Sequence, residues 1–246
     1  MKQDILFISD LHLSLEKKEI VRSFLYFLEH TAVKAESLYI LGDLFDTWIG
    51  DDDNTPPNKS IKQALKQLTD SGTRVFLQPG NRDFLLGSAF QLQTGVKLLG
   101  DYHVIELFGV KTLLTHGDLL CSDDVAYQQF REKSRSPQWQ QNVLSKPLII
   151  RLLAARWYRF RSFFHKRKKT DDIMDVNQQT VIDMMRQYHC LRLIHGHTHR
   201  PAVHDFLIDG QKAQRFVLAD WKKDSAEYLR WNASGYSIEQ VMPKAD

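Results

Sequence analysis

A chain of 246 residues with 43% hydrophobic content can bury one sizeable core, so one domain spanning residues 1–246, with an insertion, is expected rather than several independent units. Its 33 lysines and arginines against 30 aspartates and glutamates give a net charge of +3, too near balance to imply a nucleic-acid partner on bulk charge. The positive charge is local: eight basic and no acidic residues lie between Arg151 and Lys169, leaving 25 basic against 30 acidic residues elsewhere.

The first ten residues lack the apolar run and small-residue cleavage site of a secretory leader. Ile5 to Ser9, Leu38 to Leu41 and Arg74 to Leu77 are short apolar runs, each followed by polar or glycine-containing sequence, and predict buried strands. Glu19 to His30 and Ser60 to Thr69 space their apolar residues at helical intervals, the second closing with Ser71-Gly72. Strand, helix, strand, helix, strand predicts a parallel βαβ layer. The longest stretch without Asp, Glu, Lys or Arg, Phe84 to Val96, is too short to span a bilayer. Tyr102 to Phe108 and Val110 to Thr115 predict two strands joined at Gly109. Helical sequence begins near Ser122 and fills an inserted region of about 122–188, interrupted by the basic tract and by Thr170-Asp171-Asp172, where a new helix can be capped. Leu191 to Ile194, Phe206 to Ile208, Arg215 to Leu218, Tyr228 to Asn232 and Tyr236 to Val241 predict strands again, the last of them a terminal antiparallel run. Cys121 and Cys190 fit no metal-ligand spacing and read as free thiols in a reducing compartment. A cytoplasmic protein, dissolved or at a membrane surface, is expected.

Five clusters stand where strands end: Asp10-Leu11-His12, Gly42-Asp43-Leu44-Phe45-Asp46, Gly80-Asn81-Arg82-Asp83, His116-Gly117-Asp118 and His195-Gly196-His197-Thr198-His199. Carboxylate, amide oxygen and imidazole suit Mn²⁺, Fe²⁺ or Zn²⁺, and no thiolate is included. In an extended segment residues two apart share a side, so Asp10 with His12, and His197 with His199, can each aim at one place. Glycine beside a ligand lets the backbone approach closely. Any one cluster alone is more often a surface or hydrogen-bonded feature; five in this order, each after an apolar run, point to a site for two ions.

That order, D-x-H, GD-x-x-D, GN-x-D, HGD, GH-x-H, resembles the signature of the calcineurin-like, or binuclear metallophosphoesterase, superfamily. The resemblance implies an α/β or α+β fold: a β-sandwich flanked by helices, here with an inserted helical lid. It implies one cation held by Asp10, His12, Asp43 and His199 and a second held by Asn81, His116, His197 and Asp43, whose two oxygens suit it to bridge. Mn²⁺ is the expected ion. Many members carry His after the Asn; this chain has Arg82. The strings SDLHL, LGDLFDTWIGDD, PGNRDFLLG, THGDLLCSDD and HGHTHRP are similar to the bacterial UDP-2,3-diacylglucosamine pyrophosphohydrolases of lipid A synthesis, over nearly the whole chain. Those enzymes split a nucleotide-linked diacyl sugar into UMP and a lipid monophosphate. The resemblance implies substrate contacts from Asn81, Arg82, Asp124, Ser162, Lys166, Lys169 and His197, the family carrying a small polar amide where this chain has Lys166.

The implied chemistry is attack by water activated between two cations, with no Ser or Cys nucleophile. Arg82 offers a planar fork of donors suited to a diphosphate and is a candidate catalytic group, as is His197 beside the leaving oxygen. Asp46, Asp83 and Asp118 either orient ligand imidazoles or cap backbone N–H groups. The tract from Arg151 to Lys169 mixes cations with Leu152, Leu153, Trp157, Tyr158, Phe160, Phe163 and Phe164. It either docks on the anionic cytoplasmic face of the inner membrane or forms a helical pair with an aromatic core and solvated charges, and both allow an apolar groove for acyl chains. Two other functions fit the same residues: a nucleotide or nucleic-acid phosphodiesterase, and a non-catalytic metal-binding scaffold.

Overall fold

Leu6 and Ile8 point to one side of the first strand and Phe7 to the other, and the layers of the molecule follow from such alternation. The computed structural model describes residues 3–166 and 175–241, with side chains for 3–158 and 175–241. Strands β1 (Ile5–Ile8), β2 (Ser37–Leu41) and β3 (Arg74–Gln78) lie side by side in parallel. Parallel strands need a crossover, and helices α1 (Lys18–His30) and α2 (Asn58–Asp70) supply two of them. Helix α3 (Ser88–Thr94) then leads to a short parallel edge strand, β4 (Lys97–Leu98). Neither was expected from the sequence, because elements this short carry too few periods to register.

The predicted hairpin forms as β5 (His103–Leu107) and β6 (Val110–Leu114). Its two turn residues, Phe108 and Gly109, have φ of 50° and 79°, the sense of twist that suits a two-residue hairpin. The helical insertion follows as α4 (Val125–Arg135), α5 (Pro137–Leu144), α6 (Leu148–Lys166) and α7 (Gln178–Gln187). The basic tract, expected to interrupt the helix, instead continues α6 as far as Lys166. Thr170-Asp171-Asp172 lies outside the described residues; α7 is capped by Asn177, whose side chain accepts the Thr180 N–H.

Strand β7 (Arg192–His195) returns beside β6, and β9 (Gln211–Val217) pairs with β7 in parallel and with β8 (Ala202–Ile208) antiparallel. Strands β10 (Glu227–Asn232) and β11 (Gly235–Gln240) cross to the first sheet, where β10 pairs antiparallel with β1. The expected terminal antiparallel run is therefore divided between two sheets, ordered β11-β10-β1-β2-β3-β4 and β5-β6-β7-β9-β8.

Phe7, Tyr39 and Leu41 from one sheet meet Leu107, Leu114, Ile194 and Phe216 from the other in the sandwich interior. On the outer face of the first sheet, Leu6, Ile8, Leu38 and Ile40 pack on Phe24 and Phe27 of α1 and Ile61 and Leu65 of α2. On the outer face of the second, Leu113 and Leu193 pack on Val181 and Met185 of α7. The result is the expected helix-flanked sandwich, in which each fully buried aromatic or aliphatic side chain contributes about 1.5–3 kcal/mol. Cys121 and Cys190 are buried free thiols. Among the described residues no helix is long and apolar enough to cross a membrane.

Candidate metal centre

The five clusters follow the ends of β1, β2, β3, β6 and β7, the carboxyl ends of parallel strands, where α/β sheets place their ligands. Asp10, His12, Asp43, His197 and His199 have left-handed φ of 56°, 50°, 52°, 71° and 55°. Asp and His are among the few L-residues that tolerate this region, and such strain collects at functional sites. Asp10 and His12 thus share a target through a tight turn, not through the extended backbone expected from spacing, whereas His197 and His199 part, His197 Nδ1 lying 3.1 Å from Asn81 Oδ1 and His199 Nε2 3.3 Å from His12 Nε2. The turns are laced together: Asp10 N–H donates to Gly42 O (3.1 Å), His12 N–H to Asp43 O (2.9 Å) and Gly196 N–H to His116 O (2.9 Å). Two glycines permit this approach. A Cβ on Gly80 would lie 2.3 Å from Asp43 Oδ1, and one on Gly196 would lie 1.9 Å from Ser9 Oγ.

All seven expected ligands converge. The donor atoms of Asp10, His12 and His199 lie within 4.8 Å of one another, as do those of Asp10, Asp43 and His116. His12 Nε2 and His199 Nε2 are 3.3 Å apart. Asn81 Oδ1 stands 3.1 Å from both His116 Nε2 and His197 Nδ1. Asp43 reaches both groups, with Oδ2 3.8 Å from His12 Nδ1 and Oδ1 3.8 Å from His116 Nε2. It is placed to bridge.

The local electrostatics fit divalent cations. His12 Nδ1 is buried with no hydrogen-bond partner, which is expensive unless something else satisfies it. Burial pushes the Asp43 carboxyl up to about 7 despite His116 nearby, so the chain alone supplies too little positive charge for its buried carboxylates. For Asp10, burial is outweighed by the hydrogen bond to His199 and by the field of His116, which hold it below the usual carboxylate range. Burial drives His12 down to about 3, leaving a neutral imidazole with a lone pair to give. Burial also opposes the charge on His116, but Asp43, Asp10 and Asp118 prevail and raise it to about 9. Its Nδ1 lies 2.9 Å from Leu41 O, an acceptor, so that nitrogen carries a proton and Nε2 is the ligand atom.

Of the two roles expected of it, Asp83 takes the capping one, accepting the backbone N–H groups of Gly80 (2.7 Å) and Phe45 (3.3 Å). Asp118 accepts the Tyr127 hydroxyl and Arg131 Nε (2.8 Å). Asp46 is buried, its N–H donating to Leu13 O. Leu41 O, 2.9 Å from His116 Nδ1, and Asp220, whose Oδ2 lies 3.5 Å from His199 Nδ1, orient two of the imidazoles. Asp220 was missed, although it directly follows the predicted Arg215 to Leu218 strand as the ligand clusters follow theirs. Asp124 accepts the Tyr127 N–H at 3.1 Å as the N-cap of α4. Ser162 and Lys166 lie on α6 with side chains outside those described, and Lys169 lies outside the described residues.

A cavity of about 360 Å³ adjoins the cluster, lined at one end by Asn81 and Arg82 and beyond them by Trp48, Phe84, Trp139, Ala154 and Trp157. Arg151 fixes α6 over it, donating to Ile49 O (2.5 Å) and making a two-point contact with the Asp52 carboxylate. Arg82 donates its backbone N–H to Asp43 Oδ1 at 2.8 Å.

A sequence profile of the calcineurin-like phosphoesterases matches residues 4–201. The chain belongs to that family. Its members hold divalent cations, and the groups Asp10, His12, His199 and Asp10, Asp43, His116 have the donors and spacing to bind them. Curated relatives extend over almost the full length. UDP-2,3-diacylglucosamine hydrolase from Aromatoleum aromaticum is 46% identical over 230 residues, covering 94% of each chain. The protein of the same name from Haemophilus ducreyi is 46% identical over 94% of this chain and 97% of its own. The one from Pseudomonas aeruginosa is 49% identical over 89% and 91%.

Proposed function

We propose that this metallophosphoesterase hydrolyses the pyrophosphate of UDP-2,3-diacylglucosamine to UMP and 2,3-diacylglucosamine 1-phosphate, a step of lipid A biosynthesis, with Mn²⁺ as the preferred ion. One observation carries the choice of substrate: the metal cluster opens onto an apolar cavity, and Asn81 and Arg82 line both. The similarity to hydrolases of that name over 94% of the chain supports it. A nucleic-acid phosphodiesterase would need a cationic track along the backbone, whereas this cavity is walled by aromatic and aliphatic side chains.

Asp10, His12, Asp43 and His199 would hold one cation, and Asn81, His116, His197 and Asp43 the other. When bound, the cation pair lowers the pKa of water and polarises the phosphoryl group. Arg82 lies beside Asn81 with a guanidinium that has no hydrogen-bond or ion-pair partner among the described residues. It binds the diphosphate and offsets charge growing on phosphorus. His197, its Nδ1 among the metal donors, stands near the leaving oxygen. Asp124, Ser162, Lys166 and Lys169 contact the nucleotide-linked sugar from the insertion side, and the cavity takes acyl chain.

Ile149, Leu153 and Trp157 are 61%, 58% and 62% exposed and recur every fourth residue along α6, so they form one apolar stripe. That stripe, with the neighbouring basic tract, supports docking on the cytoplasmic face of the inner membrane. The test of substrate is an assay of Mn²⁺-supplied protein on UDP-diacylglucosamine, UDP-glucosamine without acyl chains, and bis-nitrophenyl phosphate. Rapid cleavage of the first alone is expected. Equal turnover of all three would make this a general phosphodiesterase, and none would leave a metal-binding scaffold.

A further inference from the structure

We propose that Arg135, on the first helix of the insertion, is a positioning residue for the cation held by Asn81, His116 and His197, so that α4 is part of the frame of the metal centre. This rests on the two-cation hydrolase proposed above. Tyr127, Arg131 and Arg135 recur at four-residue intervals and so share one face of α4. All three turn to a single buried carboxylate. Asp118 accepts the Tyr127 hydroxyl and Arg131 Nε (2.8 Å), and its Oδ2 lies 3.9 Å from Arg135 Nη2. Arg131 is held in turn by Asp101, 2.6 Å from its Nη2. Asp118 is two residues beyond His116, so this face of the helix is fastened to the loop that carries a ligand.

Arg135 also grips the second ligand loop with the nitrogen that faces Asp118. Its Nη2 donates to Gly80 O at 2.9 Å, and its guanidinium carbon lies 4.7 Å from the centre of the Phe84 ring. These contacts flank Asn81, Arg82 and Asp83. Gly80 is thus pinned at both ends, its N–H by Asp83 Oδ1 at 2.7 Å and its carbonyl by Arg135. With that peptide fixed, Asn81 Oδ1 is held 3.1 Å from both His116 Nε2 and His197 Nδ1. The Arg135 side chain is only 19% exposed, and a guanidinium is seldom taken out of water without specific partners. Its Nη2 serves both the carbonyl and the carboxylate while the flat guanidinium lies over the ring.

The test is Mn²⁺ titration of metal-stripped Arg135→Gln, without substrate, followed by calorimetry and by the electron paramagnetic resonance of the bound ion. Wild-type protein should show two sites. In Arg135→Gln one of the two affinities should fall about 10–100-fold while the other is kept, and at limiting Mn²⁺ kcat should fall with KM for the diacyl substrate unchanged. Arg151→Gln, which loosens α6 without touching the loop at 80–84, should keep both affinities. If the glutamine variant does not fold, Arg135→Lys carries the test, with the same selective loss. Both affinities unchanged, or the same loss in Arg151→Gln, would overturn the role of Arg135. Wild-type protein that binds a single Mn²⁺ would overturn the two-cation reading instead.

Discussion

Shortening the acyl chains of the substrate should slow the enzyme by an amount that the cavity fixes in advance. An apolar cavity of about 150 Å³ accommodates the six carbons of benzene. By proportion, the cavity of about 360 Å³ beside Arg82 holds about fourteen carbons, roughly one acyl chain of the two. Each methylene moved from water into it contributes ~0.8 kcal/mol, close to a fourfold change in affinity. Removing four methylenes from the chain it holds should lower kcat/KM by about 3 kcal/mol, roughly two hundredfold. Chains longer than the cavity should add little. The assay is UMP release from a homologous series of UDP-diacyl sugars in detergent micelles, with substrate concentration corrected for micelle partitioning. A linear rise of log kcat/KM with chain length that levels off near the capacity of the cavity is expected. A flat series, or a slope that never levels, would refute the placement of acyl chain in this cavity.

Three more outcomes follow from contacts in and around the site. Replacing Asp220 with Asn removes the carboxylate 3.5 Å from His199 Nδ1 and should weaken one Mn²⁺ site by about 10–100-fold; calorimetry showing two unchanged affinities would deny Asp220 any part in orienting His199. Without metal, Asp43 is raised to about 7 and His116 to about 9, so both hold protons at lower pH and must release them to bind a cation. Mn²⁺ affinity should climb up to about pH 9, about tenfold per pH unit for each proton displaced and most steeply below about pH 7, where both groups are protonated, and an affinity independent of pH would contradict this. Leu153→Asp combined with Trp157→Asp should cut binding to anionic vesicles about tenfold or more, since each loses an apolar side chain from the exposed stripe. Vesicle binding at the wild-type level would leave α6 as a wall of the cavity alone.

How much the sequence disclosed depends on the kind of signal each element leaves. Ligand chemistry demands Asp, His and Asn, and parallel strands demand apolar runs just before them, so the five clusters were legible as a set. The left-handed backbone at Asp10, His12, Asp43, His197 and His199 was not, because only the meeting of distant loops imposes it. Strands β10 and β11 were visible by alternation, but alternation names no partner, and their pairing with β1 in the other sheet depends on long-range packing. Asp220 left only a lone carboxylate after a strand. Tyr127, Arg131 and Arg135 carry no sequence signal of their own; only the fold shows that the helix face they share turns inward to Asp118. Asp83 took the role that Asp commonly plays in turns, satisfying backbone N–H groups.

The account stands on two cations gathered by seven side chains from five loops. The direct measurement strips the protein of metal, adds Mn²⁺ back stepwise, and follows bound metal and UMP release from UDP-2,3-diacylglucosamine in the same samples. Hydrolysis should be absent without metal and should appear as the second equivalent binds. Stripped protein that turns over substrate at the replenished rate, or full activity at one equivalent, would contradict it.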